Sequence, residues 1–316
     1  MRIAILSRNK KLHSIRRLLH EAHRLGVKCD VIDPLECQLV VEGRTRRIRV
    51  GHEDLPHYDA ILPRIGASVT DYGLAVVKHF ETMGSRIVNG SRAIAESRDK
   101  MRSLQVLSEA RLRVPTTVLC RGSRALKPAL ETVGGTPVVL KVLRGTQGVG
   151  VMLLQSPVGV ESVMDTLHTL EEDVIIQEYL KEGAGRDYRA FVVGGQLVAA
   201  MMRKAARGEF RSNIHRGGEG MPVKFPPSYK RAALRACQVL GLTVAGVDLM
   251  ESPEGPTIIE VNSSPGVEGI EKATRRNIAQ LIMKQVVAEA RKSVRKHAKK
   301  KPRRAKRAPA RRGRRR

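Results

Sequence analysis

Gly246-Val247-Asp248-Leu249-Met250 and Ile258-Ile259-Glu260-Val261-Asn262, joined through Ser252-Pro253-Glu254-Gly255, read as two strands and a turn. The linking residues are strong turn formers. Centring the hairpin near Glu254 sets Asp248 opposite Glu260 and Gly246 opposite Asn262. Side chains alternate along strands, so Asp248, Glu260 and Asn262 share one face, while Val247, Leu249, Ile259 and Val261 form the core face. Like charges facing each other across a hairpin destabilise it unless something neutralises them. Two carboxylates and an amide carbonyl suit a hard divalent cation that takes its remaining ligands from phosphate. The alternative is a solvent-facing pair neutralised by Lys or Arg.

Outward from that hairpin, residues 115–290 alternate short strands with helices. Strands are predicted at Val138–Val142, Met152–Leu154 and Val174–Ile176, with a helix near 159–170. Tyr188–Val193 and Gln196–Met201 flank Gly194-Gly195 as a second hairpin. Residues 207–220 read as a long loop, 227–240 as a helix, and 275–292 as a closing helix. This is α+β grammar. Residues 1–90 differ: strand 2–7, a helical stripe of Leu12, Ile15, Leu18, Leu19, Ala22 and Leu25 stopped by Gly26, then strands at 29–33, 59–62 and 87–89 around a helix over 71–83. That order predicts an open parallel α/β sheet. Its first turn, Ser7-Arg8-Asn9-Lys10, has no glycine, which excludes a dinucleotide fingerprint there.

Gly145-Thr146-Gln147-Gly148-Val149-Gly150 follows Lys141 between two strands. Gly145 and Gly150 have phosphate-loop spacing, but Val151-Met152 replaces the required Lys-Ser/Thr. Such a turn can still fold over a triphosphate and donate backbone N–H groups, with Lys141 aiming its ammonium at the phosphates. An ordinary flexible hairpin with a snorkelling lysine is the other reading.

The 316 residues suffice for two or three small domains, and no apolar run approaches the ~20 residues of a membrane span. Four scattered cysteines without a CxxC pair argue against a zinc site and fit a reducing cytoplasm. The net charge of +27 is uneven: residues 291–316 hold 16 Lys or Arg and no acid, and the other 290 residues hold 42 against 31 acids. The tail lacks a hydrophobic face, so disorder is expected there, with electrostatic binding to RNA phosphates.

Several segments together resemble the ATP-grasp superfamily, specifically its RimK-type branch of ribosomal-protein glutamate ligases. They are Ile3 to Arg8, Pro63-Arg64-Ile65-Gly66, Arg98-Asp99-Lys100, Gly145 to Gly150, Gln177-Glu178-Tyr179, Phe210 to Asn213 with His215 to Gly218, Ala245 to Asp248, Glu260 to Gly266, and Glu268 to Glu271. The resemblance implies an ATP-grasp fold: a pre-ATP-grasp domain over 1–90, an ATP-grasp region over 91–290 with ATP between two subdomains, and the basic tail 291–316. It implies that Lys100 and Lys141 contact ATP phosphates under Gly145, Gln147 and Gly148. Gln177, Glu178 and Tyr179 would meet the adenine, with Glu178 or Asp187 reaching the ribose. Arg211, Ser212 and Asn213 would approach the γ-phosphate, Arg211 and Asn213 catalytically. Asp248, Glu260 and Asn262 would hold Mg²⁺ or Mn²⁺, with two divalent ions accommodated.

The implied reaction adds L-glutamate to the C-terminal carboxylate of a small-subunit ribosomal protein through an acyl-phosphate. Arg64, Arg189, Arg203 and Arg216 are candidates for carboxylate recognition, because guanidinium binds carboxylates bidentately. A homo-oligomer in the cytoplasm, without membrane attachment, is expected, and the tail is expected to dock on the ribosome or other RNA. Competing readings are a ligase acting on a small cofactor or carrier protein, and a non-catalytic RNA-binding protein on the same scaffold.

Overall fold

The computed structural model describes residues 1–143, 150–206, 209 and 218–300. The N-terminal region comprises β1 (Arg2–Leu6), α1 (His13–Arg24), β2 (Lys28–Ile32), β3 (Cys37–Glu42), β4 (Thr45–Val50), β5 (Glu53–Asp54), β6 (Ala60–Pro63), α2 (Thr70–Thr82), β7 (Arg86–Ile87) and α3 (Ser91–Arg98). Strands β2-β1-β6-β7 form the expected parallel sheet. On α1, Ile15, Leu18 and Ala22 are buried at helical spacing, and Gly26 follows at φ +67°. Strands β3-β4-β5 form a separate antiparallel sheet that the sequence reading did not foresee.

Helix α4 (Lys100–Glu109) leads into β8 (Thr117–Cys120), α5 (Leu126–Thr132), β9 (Val138–Val142), β10 (Val151–Leu154), α6 (Pro157–Thr169) and β11 (Val174–Glu178). Their antiparallel sheet, β10-β9-β11-β8, is backed by α5 and α6 through Val138, Leu140, Val160, Met164 and Ile176. The third region holds β12 (Arg186–Val193), β13 (Gln196–Lys204), β14 (Glu219–Pro222), α7 (Pro227–Val239), β15 (Val244–Ser252), β16 (Gly255–Asn262), α8 (Glu268–Thr274) and α9 (Ile278–Lys300). Its sheet runs β14-β13-β12-β15-β16.

Helix α9 ties the first and third regions together. Ile278, Ile282, Met283, Val286 and Ala290 share one buried cluster with Ile3, Ile5 and Leu62 of the parallel sheet and with Phe191, Met201 and Val244 of the antiparallel one. At roughly 1.5–3 kcal/mol per buried aliphatic side chain, that shared core is a strong tie between the two sheets. The helix runs to Lys300, whereas the sequence reading stopped it at 292 and expected disorder from 291. Its buried face continues through Ser293, and Ala, Lys and Arg extend an established helix readily. Residues 301–316 lie outside the described residues.

Asn89 is a second tie. It leaves β7 at φ +68°, and its amide makes four bonds: Nδ2 donates to Val244 O (2.6 Å) and Ser263 O (2.8 Å), while Oδ1 accepts from Thr243 N (2.8 Å) and Val244 N (3.0 Å). Read from sequence as the end of a strand, it is instead a buried pin between the parallel sheet and the β15–β16 hairpin.

Candidate active site

In the β15–β16 hairpin Asp248 pairs with Glu260 and Gly246 with Asn262, as the sequence predicts. The turn is shorter than expected, and a bulge at Ile259 restores the register: Leu249 pairs with Ile258. The core face therefore carries Ile258, fully buried, and Ile259 is only half-buried, which corrects the expectation for Ile259.

Strand β12 lies between β13 and β15 and sets Asp187 opposite Arg203 and Arg189 opposite Asp248. These cross-strand neighbours form a closed charge network. Arg189 donates to Asp248 from Nε (2.7 Å) and Nη2 (2.6 Å), and Arg203 Nη2 donates to Asp248 Oδ2 (2.8 Å). Arg203 also grips both oxygens of Asp187, at 2.6 and 2.5 Å. Arg189 and Arg203, read from the sequence as candidates for glutamate carboxylates, are thus engaged with carboxylates of the protein itself. Asp187, set down for the ribose, has both oxygens on Arg203. Burial pushes the Asp248 carboxyl up, but Arg189 and Arg203 more than offset it, so the group lies below the usual carboxylate range. Burial likewise works against the Arg203 charge, yet Asp248 and Asp187 hold its guanidinium firmly protonated.

Glu260 is the opposite case. Among the described residues it has no hydrogen-bond or ion-pair partner, and its side chain opens to the cleft. Loss of bulk water around it and the charge of Asp248 push its carboxyl up, against Arg189, Lys141 and Lys100. Asn262 Oδ1 accepts from Ser264 N at 2.8 Å.

The two lysines approach this face from β9 of the middle sheet and from the start of α4. Lys141 Nζ donates to Gln177 Oε1 at 2.6 Å, and Gln177 Nε2 donates to Thr117 Oγ1 at 2.8 Å. Burial pushes Lys141 down to about 8, with Glu260 opposing and Lys100 assisting the shift. Lys100 opens α4 and reaches Val142 O (2.9 Å) and Leu143 O (2.8 Å), at the entrance to the glycine loop. Burial lowers it too, against Glu260 and Asp99. Glu178 Oε1 accepts from Thr116 N at 2.9 Å, and Tyr179 follows half-buried beyond the end of β11. A cavity of about 740 Å³ lies beside Glu178 to Glu182, with Arg111, Arg113, Ser252 and Glu254 opposite. None of Lys100, Lys141, Asp248 or Glu260 lines it, so volume alone does not locate the chemistry here. Gly145, Gln147, Gly148, Arg211, Ser212, Asn213 and Arg216 lie outside the described residues.

The donor set can be tested against a divalent ion. A carboxylate offers about four lone-pair positions, and the arginines occupy three on Asp248, leaving one on Oδ1. Glu260 is unengaged, and Asn262 Oδ1 retains one position. The residues fit a hard cation held mainly by Glu260 and Asn262, with Asp248 contributing a single position.

Comparison with known proteins assigns the family. The RimK PreATP-grasp domain family matches residues 1–94, and the RimK-like ATP-grasp domain family matches residues 97–286. A protein of Marinomonas sp. (strain MWYL1) named probable alpha-L-glutamate ligase is 48% identical over 286 residues, 90% of this chain and 95% of its own. Probable alpha-L-glutamate ligase 1 of Pseudoalteromonas atlantica is 49% identical over 283 residues, covering 90% of this chain and 94% of its own. Among solved structures, ATP-grasp ligase PsnB complexed with minimal precursor superimposes with a TM-score of 0.71 at 19% identity, covering 91% of this chain and 98% of its own. D-alanine–D-alanine ligase from Bacillus anthracis complexed with ATP gives 0.69 at 18%, covering 94% and 99%. At such identities these two speak for the fold.

Proposed function

The chain belongs to the RimK-like ATP-grasp family, an ATP-dependent carboxylate–amine ligase fold, and on that premise we propose that it adds L-glutamate to the C-terminal carboxylate of a small-subunit ribosomal protein. The observation that carries the reading is the convergence of Glu260, Lys141 and Lys100 beside the Asp248 network. It combines an unneutralised carboxylate for a metal with two desolvated ammonium groups for phosphate. Glutamate as the added amino acid is supported by the names of relatives at about 48% identity, and the ribosomal acceptor by the sequence resemblance.

A carboxylate does not condense with an amine in water. In the proposed reaction an oxygen of the acceptor carboxylate attacks the γ-phosphorus of ATP and ADP leaves. The glutamate amine then attacks the acyl carbon, phosphate departs, and the amine gives up a proton to form the amide. Lys100 and Lys141 are proposed to neutralise phosphate oxygens during transfer, a role that their partial desolvation would strengthen. Mg²⁺, or Mn²⁺, held by Glu260, Asn262 and Asp248 would supply further charge neutralisation at the phosphates, with a second ion shared with ATP. Arg211 and Asn213 are proposed for the developing charge at the acyl carbon, and Gly145, Gln147 and Gly148 for the ATP phosphates. Gln177, Glu178 and Tyr179 are proposed at the adenine and ribose.

The tail, with 16 Lys or Arg over residues 291–316, is proposed to dock on ribosomal or other RNA, with affinity falling steeply as salt rises. The test of the ligase reading is mass spectrometry of the ribosomal acceptor incubated with enzyme, ATP, Mg²⁺ and glutamate. Mass steps of one glutamyl residue, matched by ADP, are expected. ADP release that leaves this acceptor unmodified would remove the acceptor assignment, and absence of both would remove the reading.

A further inference from the structure

Among the described residues, Arg64 and Arg98 stand beside the site without a carboxylate partner. Arg64 directly follows β6, and among the described residues its side chain makes one hydrogen bond, Nη2 to Pro265 O at 2.7 Å. Arg98, at the end of α3, donates from Nη1 to Gly66 O (3.1 Å) and Thr70 Oγ1 (2.7 Å) and from Nη2 to Ile65 O. Every one of these acceptors is neutral. Arg17 and Arg189, which are likewise half-buried, each bond a carboxylate. Burial pushes both groups down to about 10, and the neighbouring Arg98 charge adds to the shift at Arg64. A covered guanidinium pair without a counter-charge is costly to keep, because desolvation is not offset by an opposite charge.

The position of the pair matters as much as its charge. In the order β2-β1-β6-β7, the chain leaves β1 for β2 on one side and later enters β6 on the other. The carboxyl ends of β1 and β6 are therefore a topological switch point, where open parallel sheets form a crevice for ligands. Arg64 stands at that end, its backbone N–H bonded to Leu6 O at 2.9 Å. Its acceptor Pro265 belongs to the loop that follows Asn262. A Cβ placed on Gly246 would lie 3.0 Å from Pro265 Cβ and 3.6 Å from Arg189 Nε. Arg64 is thus one packed layer from the face that carries Asp248 and Glu260.

We propose that Arg64 binds a non-reacting carboxylate of the acidic substrate in the switch-point crevice, with Arg98 acting as a positioning residue. One of the five guanidinium N–H donors of Arg64 is used by Pro265, and the remainder suffice for a bidentate carboxylate. Arg98 clamps residues 65–70 through its three neutral acceptors and adds a second positive charge to the crevice. The carboxylate comes either from glutamate as amine donor or from an acidic C-terminal residue of the acceptor. The proposal rests on the ligase reading above and names the group that makes that ligase selective for acidic substrates.

The test is steady-state kinetics of the full chain with ATP and Mg²⁺, comparing glutamate with glutamine as donor and acceptor peptides ending in Glu with those ending in Gln. Wild-type enzyme is expected to prefer the acid in at least one arm by about 100-fold, since a site built around a carboxylate rejects the amide. Arg64→Ala is expected to raise KM for the acidic substrate in that arm by about 10- to 100-fold and to bring the acid–amide ratio towards one. KM for ATP stays unchanged. The arm in which the ratio collapses identifies the source of the carboxylate. Arg64→Lys, which keeps the charge and can still reach Pro265, guards against misfolding: it should melt normally and lose most of the preference. Arg98→Lys should raise the same KM while part of the acid–amide ratio survives. An acid–amide ratio unaltered by Arg64→Ala, or an equal rise in KM for ATP, overturns the proposal while the ligase reading stands. No glutamate transfer by wild-type enzyme overturns both.

Discussion

Arg203→Met should unfold this protein far more readily than an average buried substitution. Arg203 is 3% exposed and makes three charge-assisted hydrogen bonds, two to Asp187 and one to Asp248. Removing it leaves the Asp187 carboxylate, 8% exposed, without its guanidinium partner, while Asp248 keeps Arg189. Breaking a buried ion pair from one side costs about 3–5 kcal/mol, because the remaining charge stays desolvated. Asp187→Leu combined with Arg203→Met removes the stranded charge and should recover most of that loss. Urea unfolding of the wild type, both single variants and the double variant measures each of these quantities. A deficit below 1 kcal/mol for Arg203→Met, or a double variant no better than the single, would refute the network as drawn.

Gly246→Ala should cost about 1–3 kcal/mol in a thermal or urea melt, since its Cβ would meet Pro265 Cβ at 3.0 Å. Arg189, 3.6 Å from the added Cβ, lies at ordinary contact distance and should keep its grip on Asp248. Asn89→Asp retains a residue tolerant of the left-handed backbone but turns an oxygen towards Val244 O and Ser263 O; a loss of about 3 kcal/mol or more is expected on chemical unfolding. Lys141, at about 8 instead of 10.5, gives the unfolded chain the greater proton uptake between those values, so ligand-free stability should rise with pH across the window. Nucleotide affinity measured by calorimetry should fall from pH 7 to pH 9 as the ammonium is lost, and Lys141→Met should flatten that dependence.

What was legible in the sequence followed regular periodicity. The stripe Ile15, Leu18 and Ala22, the glycine stops and the β-branched strands gave the parallel sheet, because each burial pattern repeats with its element. Residues 37–54 gave no such signal. In Arg46-Arg47-Ile48-Arg49-Val50 only Ile48 is fully buried, too sparse a stripe to announce a strand. The arginine network was hidden by register. A two-residue turn at Gly194-Gly195 counted outward sets Asp187 opposite Met202, whereas the irregularity between Phe191 and Val192 moves it to Arg203. The Asp248–Glu260 pairing was reached with a turn one residue too long, and the bulge at Ile259 supplied the missing residue. Bulges of this kind have no simple composition signature, and both sit next to the chemistry. Asn89 was equally opaque, since its worth lies in backbone groups more than 150 residues away.

The structure also divides an argument that the sequence treated as one. Facing carboxylates demanded a neutralising partner, with a metal and basic side chains as alternatives. Two arginines serve Asp248, and the unanswered charge is on Glu260. The two residues should therefore separate experimentally. Asp248→Asn withdraws the counter-charge from Arg189 and Arg203, and should destabilise the ligand-free protein by about 3–5 kcal/mol. Glu260→Gln removes a carboxylate that loss of bulk water in the cleft and the charge of Asp248 already push towards its neutral form, so ligand-free stability should hold or rise slightly. Its effect belongs to the divalent ion: Mg²⁺ or Mn²⁺ affinity, read by titration in the presence of a nonhydrolysable ATP analogue, should collapse with ligation. Folding is thus assigned to one carboxylate and the cation to the other. A Glu260→Gln variant that melts early yet binds the cation normally would show the assignment to be reversed.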